Sequence, residues 1–332
     1  MLIAITGGTG FVGRHLAKRL VSQGHTVRLI ARGVDPGAPW MKEHPQVEFV
    51  RGSVSSRSTL QEAFSNCDNV AHLAGINHET KHQDFYEVHV RGTELVVDAV
   101  HRQDVDHLSL LSFLRARPDD RSGYHDTKWR AEEIVRSSEC TSTILKAGVI
   151  YGKGDHMVDH LSKILTMLPV FFLVGRRPRK TAPVHVSDVV DLLVGGVNSN
   201  RLNNRTVAVT GPEQMYLKEA VRRVADVMDC DPYFVRLPLF LQYANAGLME
   251  LLVDEPPASL AQVQILSEGL IEPAPEGVCD AIPEQYQPNR AFTEQRIQQA
   301  LPDWKRFDAT DLRCRMRNVF NVLRRTSARI CT

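Results

Sequence analysis

The stretch ITGGTGFVGRHL, Ile5 to Leu16, decides the fold. It follows the short apolar run MLIA and carries three glycines three apart, Gly7, Gly10 and Gly13. It then passes at once into the helical spacing of Phe11, Leu16 and Leu20. A strand that turns through glycines into a helix is the context in which such a run binds an anion. Gly7 permits the tight turn, Gly10 lets backbone approach a phosphate, and Gly13 lets the helix lie close to the sheet. The helix N-terminus adds free N–H groups and partial positive charge, which suit a pyrophosphate. A P-loop would need Gly-Lys-Ser/Thr after its last glycine. Here Arg14 and His15 follow Gly13, which excludes it.

Outward from this run, strand-like and helix-like stretches alternate: HTVRLIA, VEFVRG, STLQEAFSN, NVAHLAG, YEVHVRGTELVVDAVHR, DHLSLLS, YHDTKWRAEEIVRSS and STILKAGVI. Strands separated by helices at this spacing predict βαβ units. The expected fold is therefore α/β, a Rossmann-type doubly wound parallel sheet with a smaller C-terminal substrate lobe. Residues 1–150 form the dinucleotide domain, and 183–211 return to it through the helix SDVVDLLVGGV and the strand RTVAVTG. Residues 151–182 and 212–332 make the lobe and C-terminal helices.

The 332 residues carry 43% hydrophobic and 24% charged side chains, ordinary for a globular chain, and a formal charge of +1 that gives no general field for nucleic acid. Six scattered cysteines without CxxC spacing fit a reduced, cytoplasmic setting. His78, Glu79, His82 and His89 offer no convincing third ligand, so no metal is expected. GRRPRK, Gly175 to Lys180, reads as a solvated cationic loop, with an anionic substrate as the alternative. Near the end, Leu312, Met316, Val319, Phe320 and Leu323 form one apolar stripe, with Arg313, Arg317 and Arg324 largely outside it. Packing on the protein's own body is the preferred reading. The alternative is weak contact of this basic amphipathic helix with an anionic membrane surface.

Tyr124 and Lys128 lie four apart and share one helical face, where an ammonium can stabilise a phenolate. With TGGTGFVG, VAHLAG, VHVRGT, YHDTK, GVIYGKGD and PVHVSDVVDLL, the first 190 or so residues resemble the short-chain dehydrogenases/reductases of extended or atypical type. The C-terminal part is similar, more loosely, to the atypical branch that includes the NADPH-binding accessory subunit of complex I. The resemblance implies catalytic roles for Tyr124 (proton exchange), Lys128 (ribose contact and tuning of Tyr124) and Ser112 (orienting the substrate oxygen), with Ser109 the alternative hydroxyl. It implies cofactor contacts from Gly7, Thr9, Gly10, Phe11, Val12, Gly13, Arg32, Ser53, Val54, Leu73, Ala74, Gly75, Tyr124, Lys128, Ala147 and Val149. The chain departs from the family at three places. His89 stands where an asparagine usually serves the proton relay, Ser53 replaces an aspartate, and Lys146-Ala147 replace Arg-Pro.

These features imply an NADP(H)-dependent oxidoreductase acting on a small carbonyl or hydroxyl compound. The alternatives are a non-catalytic NADP(H)-binding regulatory or accessory protein and, lower, a sugar-nucleotide epimerase or dehydratase. NADP(H) is favoured over NAD(H) because Ala31 occupies the position of the ribose-binding carboxylate and Arg32 follows it. A carboxylate there would repel a 2′-phosphate, whereas arginine can bind one. NADPH should therefore bind several-fold tighter than NADH, and Arg32→Asp should reverse the order in calorimetric titration. Equal affinities in the unaltered protein would contradict this reading of the strand end.

Overall fold

The computed structural model describes residues 1–33, 39–80, 83–119, 122–167, 169–175, 177–243, 264–265 and 267–302. The stripe Leu312–Leu323 lies outside the described residues, as do His82 and Arg176. Seven strands form one parallel sheet. They are β1 (Leu2–Thr6), β2 (Thr26–Ala31), β3 (Val47–Arg51), β4 (Asn69–His72), β5 (His107–Phe113), β6 (Ser142–Ala147) and β11 (Arg205–Val209). The order β11-β6-β5-β4-β1-β2-β3 reverses direction between β1 and β4, and at such a switch point a crevice opens outside the strand C-termini.

Both faces are covered, as the near-continuous apolar strands require, and the short helix α2 (Trp40–Glu43) lies between β2 and β3 in the chain. On one side α1 (Phe11–Ser22) packs beside α7 (Val186–Asn198), burying Leu16, Leu20, Val189 and Leu193 against Ile3, Ile5 and Val207. On the other side lie α3 (Arg57–Phe64), α4 (Gly92–Arg102) and α5 (Gly123–Arg136), which bury Leu60, Phe64, Val96 and Val135 over Ala4, Val70 and Ile144. The single helix expected over YEVHVRGTELVVDAVHR is continuous, opening with a π-helical stretch, Tyr86–Arg91, that runs directly into α4. The helix N-termini of α3 and α5 are capped by Ser56 and Ser122, which accept from Thr59 and His125 N–H groups.

Beyond β7 (Ile150–Tyr151) come α6 (Met157–Met167), β8 (Val170–Val174), β9 (Lys180–Thr181) and β10 (Val184–His185). After β11 the chain forms β12 (Met215–Tyr216), α8 (Leu217–Val227), β13 (Tyr233–Leu237) and α9 (Glu294–Ala300). A separate apolar cluster holds this part together, with Val158 of α6, Phe171 and Leu173 of β8, Val221 and Val224 of α8, and Phe292 and Ile297. The strand RTVAV hydrogen-bonds in parallel to β6.

Lys146 explains its own departure from the family pattern. It is fully buried in the strand STILKA, and its Nζ donates to both oxygens of Glu132 at 2.6 and 2.7 Å and to Ala116 O at 3.0 Å. Glu132, on α5, is also fully buried and takes a further bond from Arg136. Burial pushes the Lys146 pKa down, and the neighbouring carboxylate opposes that shift. Breaking a buried pair strands the remaining charge, which costs roughly 3–5 kcal/mol. Glu132→Gln should lower the denaturation free energy by about that amount, measured in urea. Glu132→Met combined with Lys146→Met should recover most of the loss, and equal destabilisation by the single and double changes would contradict the pairing.

Candidate functional site

The glycine run forms a tight cradle. Gly7 has φ +68°, in the left-handed region. A Cβ on Gly13 would sit 2.3 Å from Gly7 O, and one on Gly7 would sit 2.9 Å from the Ala74 backbone. Gly10 precedes α1 without a side-chain cap, and the first intrahelical bond is Arg14 N–H to Gly10 O. The N–H groups of Phe11, Val12 and Gly13 therefore precede the helix's own bonding and face the crevice end of the sheet. This cradle, closed to side chains and rich in free donors, fits a dinucleotide pyrophosphate.

From the cradle a buried polar chain runs toward α5. Thr6 and His72 are register partners in β1 and β4. Ala74 N–H donates to Thr6 Oγ1 at 3.3 Å, and Thr6 Oγ1 donates to His72 Nδ1 at 2.7 Å. His72 Nε2 donates to Thr93 Oγ1 at 3.1 Å, and that hydroxyl donates to His89 O at 2.5 Å. His89 Nε2 accepts from Ile76 N–H at 3.2 Å, so its Nδ1 carries the proton and donates to Thr127 Oγ1 at 3.0 Å. Thr127 passes the direction on to Gly123 O at 2.6 Å. The network assigns both tautomers and leaves both rings neutral. Burial, with the Lys128 charge adding to it, pushes His72 down to about 3 and His89 well below the usual histidine range.

Tyr124 and Lys128 sit on α5 beside this chain. Tyr124 is 7% exposed and ringed by Phe85, His89, Phe113 and His125 at centroid distances of 5.4–6.0 Å. Ala116 and Leu270 complete its apolar surroundings. Its hydroxyl has no hydrogen-bond partner among the described residues, and burial raises its pKa, so the phenol stays protonated at neutral pH. Lys128 is half-buried, with its Nζ beside Gly75: a Cβ built there would meet it at 3.1 Å. Burial lowers its pKa from 10.5 to about 8, and Glu132 opposes the shift. No hydrogen bond holds the ammonium among the described residues, which leaves it free to donate to a ligand.

Ser112 lies near the end of β5 as expected, but its hydroxyl has a partner of its own. It is buried and donates to Glu132 Oε1 at 2.5 Å, so its proton is committed to the Lys146–Glu132 pair. The reason is local: a carboxylate buried without water draws every donor within reach. Ser109 is no substitute, since its unpartnered Oγ lies against Gly196 of α7, on the other face of the sheet.

The other residues expected to contact the cofactor are placed as follows. Thr9 is half-buried in the glycine turn. Val54 packs beneath Gly92, and Ser53 Oγ accepts from Ser55 N–H. Leu73 N–H bonds Thr6 O, which seats Leu73, Ala74 and Gly75 against the cradle. Ala147 O accepts from Leu114 N–H, and Val149 packs into the Tyr124 cluster. Arg32 is exposed just past β2, with no ion-pair or hydrogen-bond partner among the described residues. Glu79 is engaged by Phe85 N–H, and no cluster of three metal-ligating side chains occurs among the described residues. Thr6, His72, Thr93, Thr127 and Glu132 were not singled out by motif. Their signal was polar residues inside apolar strands and helices, as with His72 in NVAHLAG.

Residues 3–199 match the NAD dependent epimerase/dehydratase family, more than half the chain, and the protein belongs to that family. It is 28% identical over 237 residues to a ceramide reductase of Caulobacter vibrioides, covering 71% of this chain and 74% of that one. It is 27% identical to the NADH-ubiquinone oxidoreductase 40 kDa subunit of Neurospora crassa, covering 69% of this chain but only 60% of the subunit. The fold is similar to UDP-glucuronic acid 4-epimerase from Bacillus cereus, solved with UDP-glucuronic acid and NAD. That likeness has a TM-score of 0.68 at 16% identity, covering 90% and 98% of the two chains.

If Lys128 donates to a bound dinucleotide, affinity should fall as pH rises through about 8, the value to which burial lowers this lysine. An ordinary exposed lysine would keep its charge until about pH 10.4. Titrations at pH 7 and pH 9 should show the loss in the unaltered protein and none in Lys128→Met. Identical affinities at both pH values in the unaltered protein would remove Lys128 from the binding site.

Proposed function

We propose that this member of the epimerase/dehydratase family is an NADPH-dependent reductase of an apolar carbonyl compound. The observation that carries the reading is the pairing of a protonated, unpartnered Tyr124 hydroxyl with the free ammonium of Lys128, one helical turn away within apolar walls. A neutral phenol can give its proton to a carbonyl oxygen as that oxygen becomes a hydroxyl, and the Lys128 ammonium one turn away would stabilise the phenolate left behind. When bound, the reduced dinucleotide supplies the hydride. Lys128 would hold the ribose, the N–H groups of Phe11 and Val12 would hold the pyrophosphate, and exposed Arg32 would meet a 2′-phosphate. Phe85, Phe113 and Leu270 exclude water and give an apolar substrate a surface to bury.

A second reading, an NADP(H)-binding accessory protein without turnover, is favoured by one observation. Ser112, the expected oxygen-orienting hydroxyl, is committed to Glu132. The two readings separate in one experiment, NADPH oxidation against a panel of apolar ketones, aldehydes and enones. The reductase reading expects turnover that drops roughly 10²–10⁴-fold in Tyr124→Phe with NADPH affinity nearly unchanged. Lys128→Met should impair both turnover and affinity. NADPH binding with no turnover across the panel would establish the accessory reading instead.

A further inference from the structure

The parallel pair β8–β13 carries an apolar face on each side. Register sets Val170 beside Tyr233, Phe172 beside Val235 and Val174 beside Leu237. Phe171 and Leu173 point inward, into the cluster with α6 and α8. Alternation therefore places Val170, Phe172, Val174, Tyr233, Val235 and Leu237 together on the opposite face. On a half-solvated sheet that face is ordinarily polar, and parallel strands are ordinarily covered on both sides. Here Phe172 is 46% exposed, Val235 40% and Tyr233 76%.

The chain after β13 extends the apolar surface. Phe240 is 68% and Leu241 45% exposed, in a helical turn held to the sheet by Gln242 Nε2 donating to Leu173 O at 3.0 Å. Cations border the same end. Arg177, Arg179 and Lys180 follow β8 directly, starting from Gly175, which packs against Leu239. None of these three has a carboxylate partner among the described residues; Lys180 lies over the Tyr216 ring. An exposed apolar patch marks an interaction surface, and an unneutralised basic rim selects a negative one.

We propose that this face docks the protein on an anionic lipid bilayer, with Phe172, Val235, Tyr233 and Phe240 entering the headgroup boundary and the Arg177–Lys180 loop meeting lipid phosphates. The contact is separate from the one considered for the C-terminal stripe, and it stands whether or not the reductase reading does. It gives GRRPRK a role other than substrate capture.

The test is co-sedimentation of the full chain with phosphatidylcholine vesicles, with and without phosphatidylglycerol. Binding should require the anionic lipid and weaken with salt. Phe172→Asp with Phe240→Asp should reduce it by about tenfold or more, while NADPH affinity, as the control for folding, stays the same. Arg177→Glu with Lys180→Glu should remove the preference for phosphatidylglycerol. The proposal is overturned if the full chain ignores both vesicles, or if the double aspartate variant binds as well as the parent. It is equally overturned if shortening the chain after Phe307 abolishes binding, which would assign the contact to the C-terminal stripe. Sedimentation velocity showing a dimer that Phe172→Asp dissociates would make a second copy the occupant.

Discussion

The hydroxyl of Thr6 accepts from Ala74 N–H and donates to His72, and the geometry of the site is indexed to that group. It lies at the last residue of β1, one position before the glycine turn, so it ties the cradle to the end of β4. From there the bonds run through His72, Thr93, His89 and Thr127 to the first turn of α5. A buried network in which every member is satisfied permits one arrangement of its elements, because any slip strands a polar group at a cost of about 1–3 kcal/mol. The helix that carries Tyr124 and Lys128 is thereby fixed relative to the loop expected to hold the pyrophosphate.

His89 acquires its meaning within that constraint. As an imidazole it spans from Ile76 N–H to Thr127, and its ring stacks on Phe85 at an interplanar angle of 19°. Both ring nitrogens are engaged, so the side chain works as a brace. Its low pKa keeps it neutral beside the Lys128 ammonium, where a second cation would weaken both. Lys146 follows the same logic, since its charge is matched by Glu132 and so can sit in a fully buried strand.

The sheet was legible because its strands are apolar runs bounded by glycine and polar turns, a pattern that parallel sheets impose. The cradle was legible because only glycine fits where a Cβ would meet backbone at 2.3 Å. Tyr124 and Lys128 were legible from their spacing on a helix that opens just after β5. Ser112 was placed correctly on its strand but its partner was not foreseen. Hydrogen-bond partners depend on contacts across elements, here a glutamate 20 residues later. The π-helical turn before α4 and the exposed apolar face of β8–β13 left no distinctive local spacing, since both depend on what packs against them.

The central claim is that one face of α5 presents Tyr124 and Lys128 to a dinucleotide seated on the glycine cradle. A crystal structure of the protein with NADPH tests it most directly. The account predicts pyrophosphate oxygens within hydrogen-bond reach of Phe11 and Val12 N–H, Lys128 Nζ bonded to the nicotinamide ribose, and the Tyr124 hydroxyl beside the nicotinamide ring. A dinucleotide bound with Lys128 untouched, or with the nicotinamide turned away from Tyr124 and the space filled by Phe113 and Leu270, would contradict it.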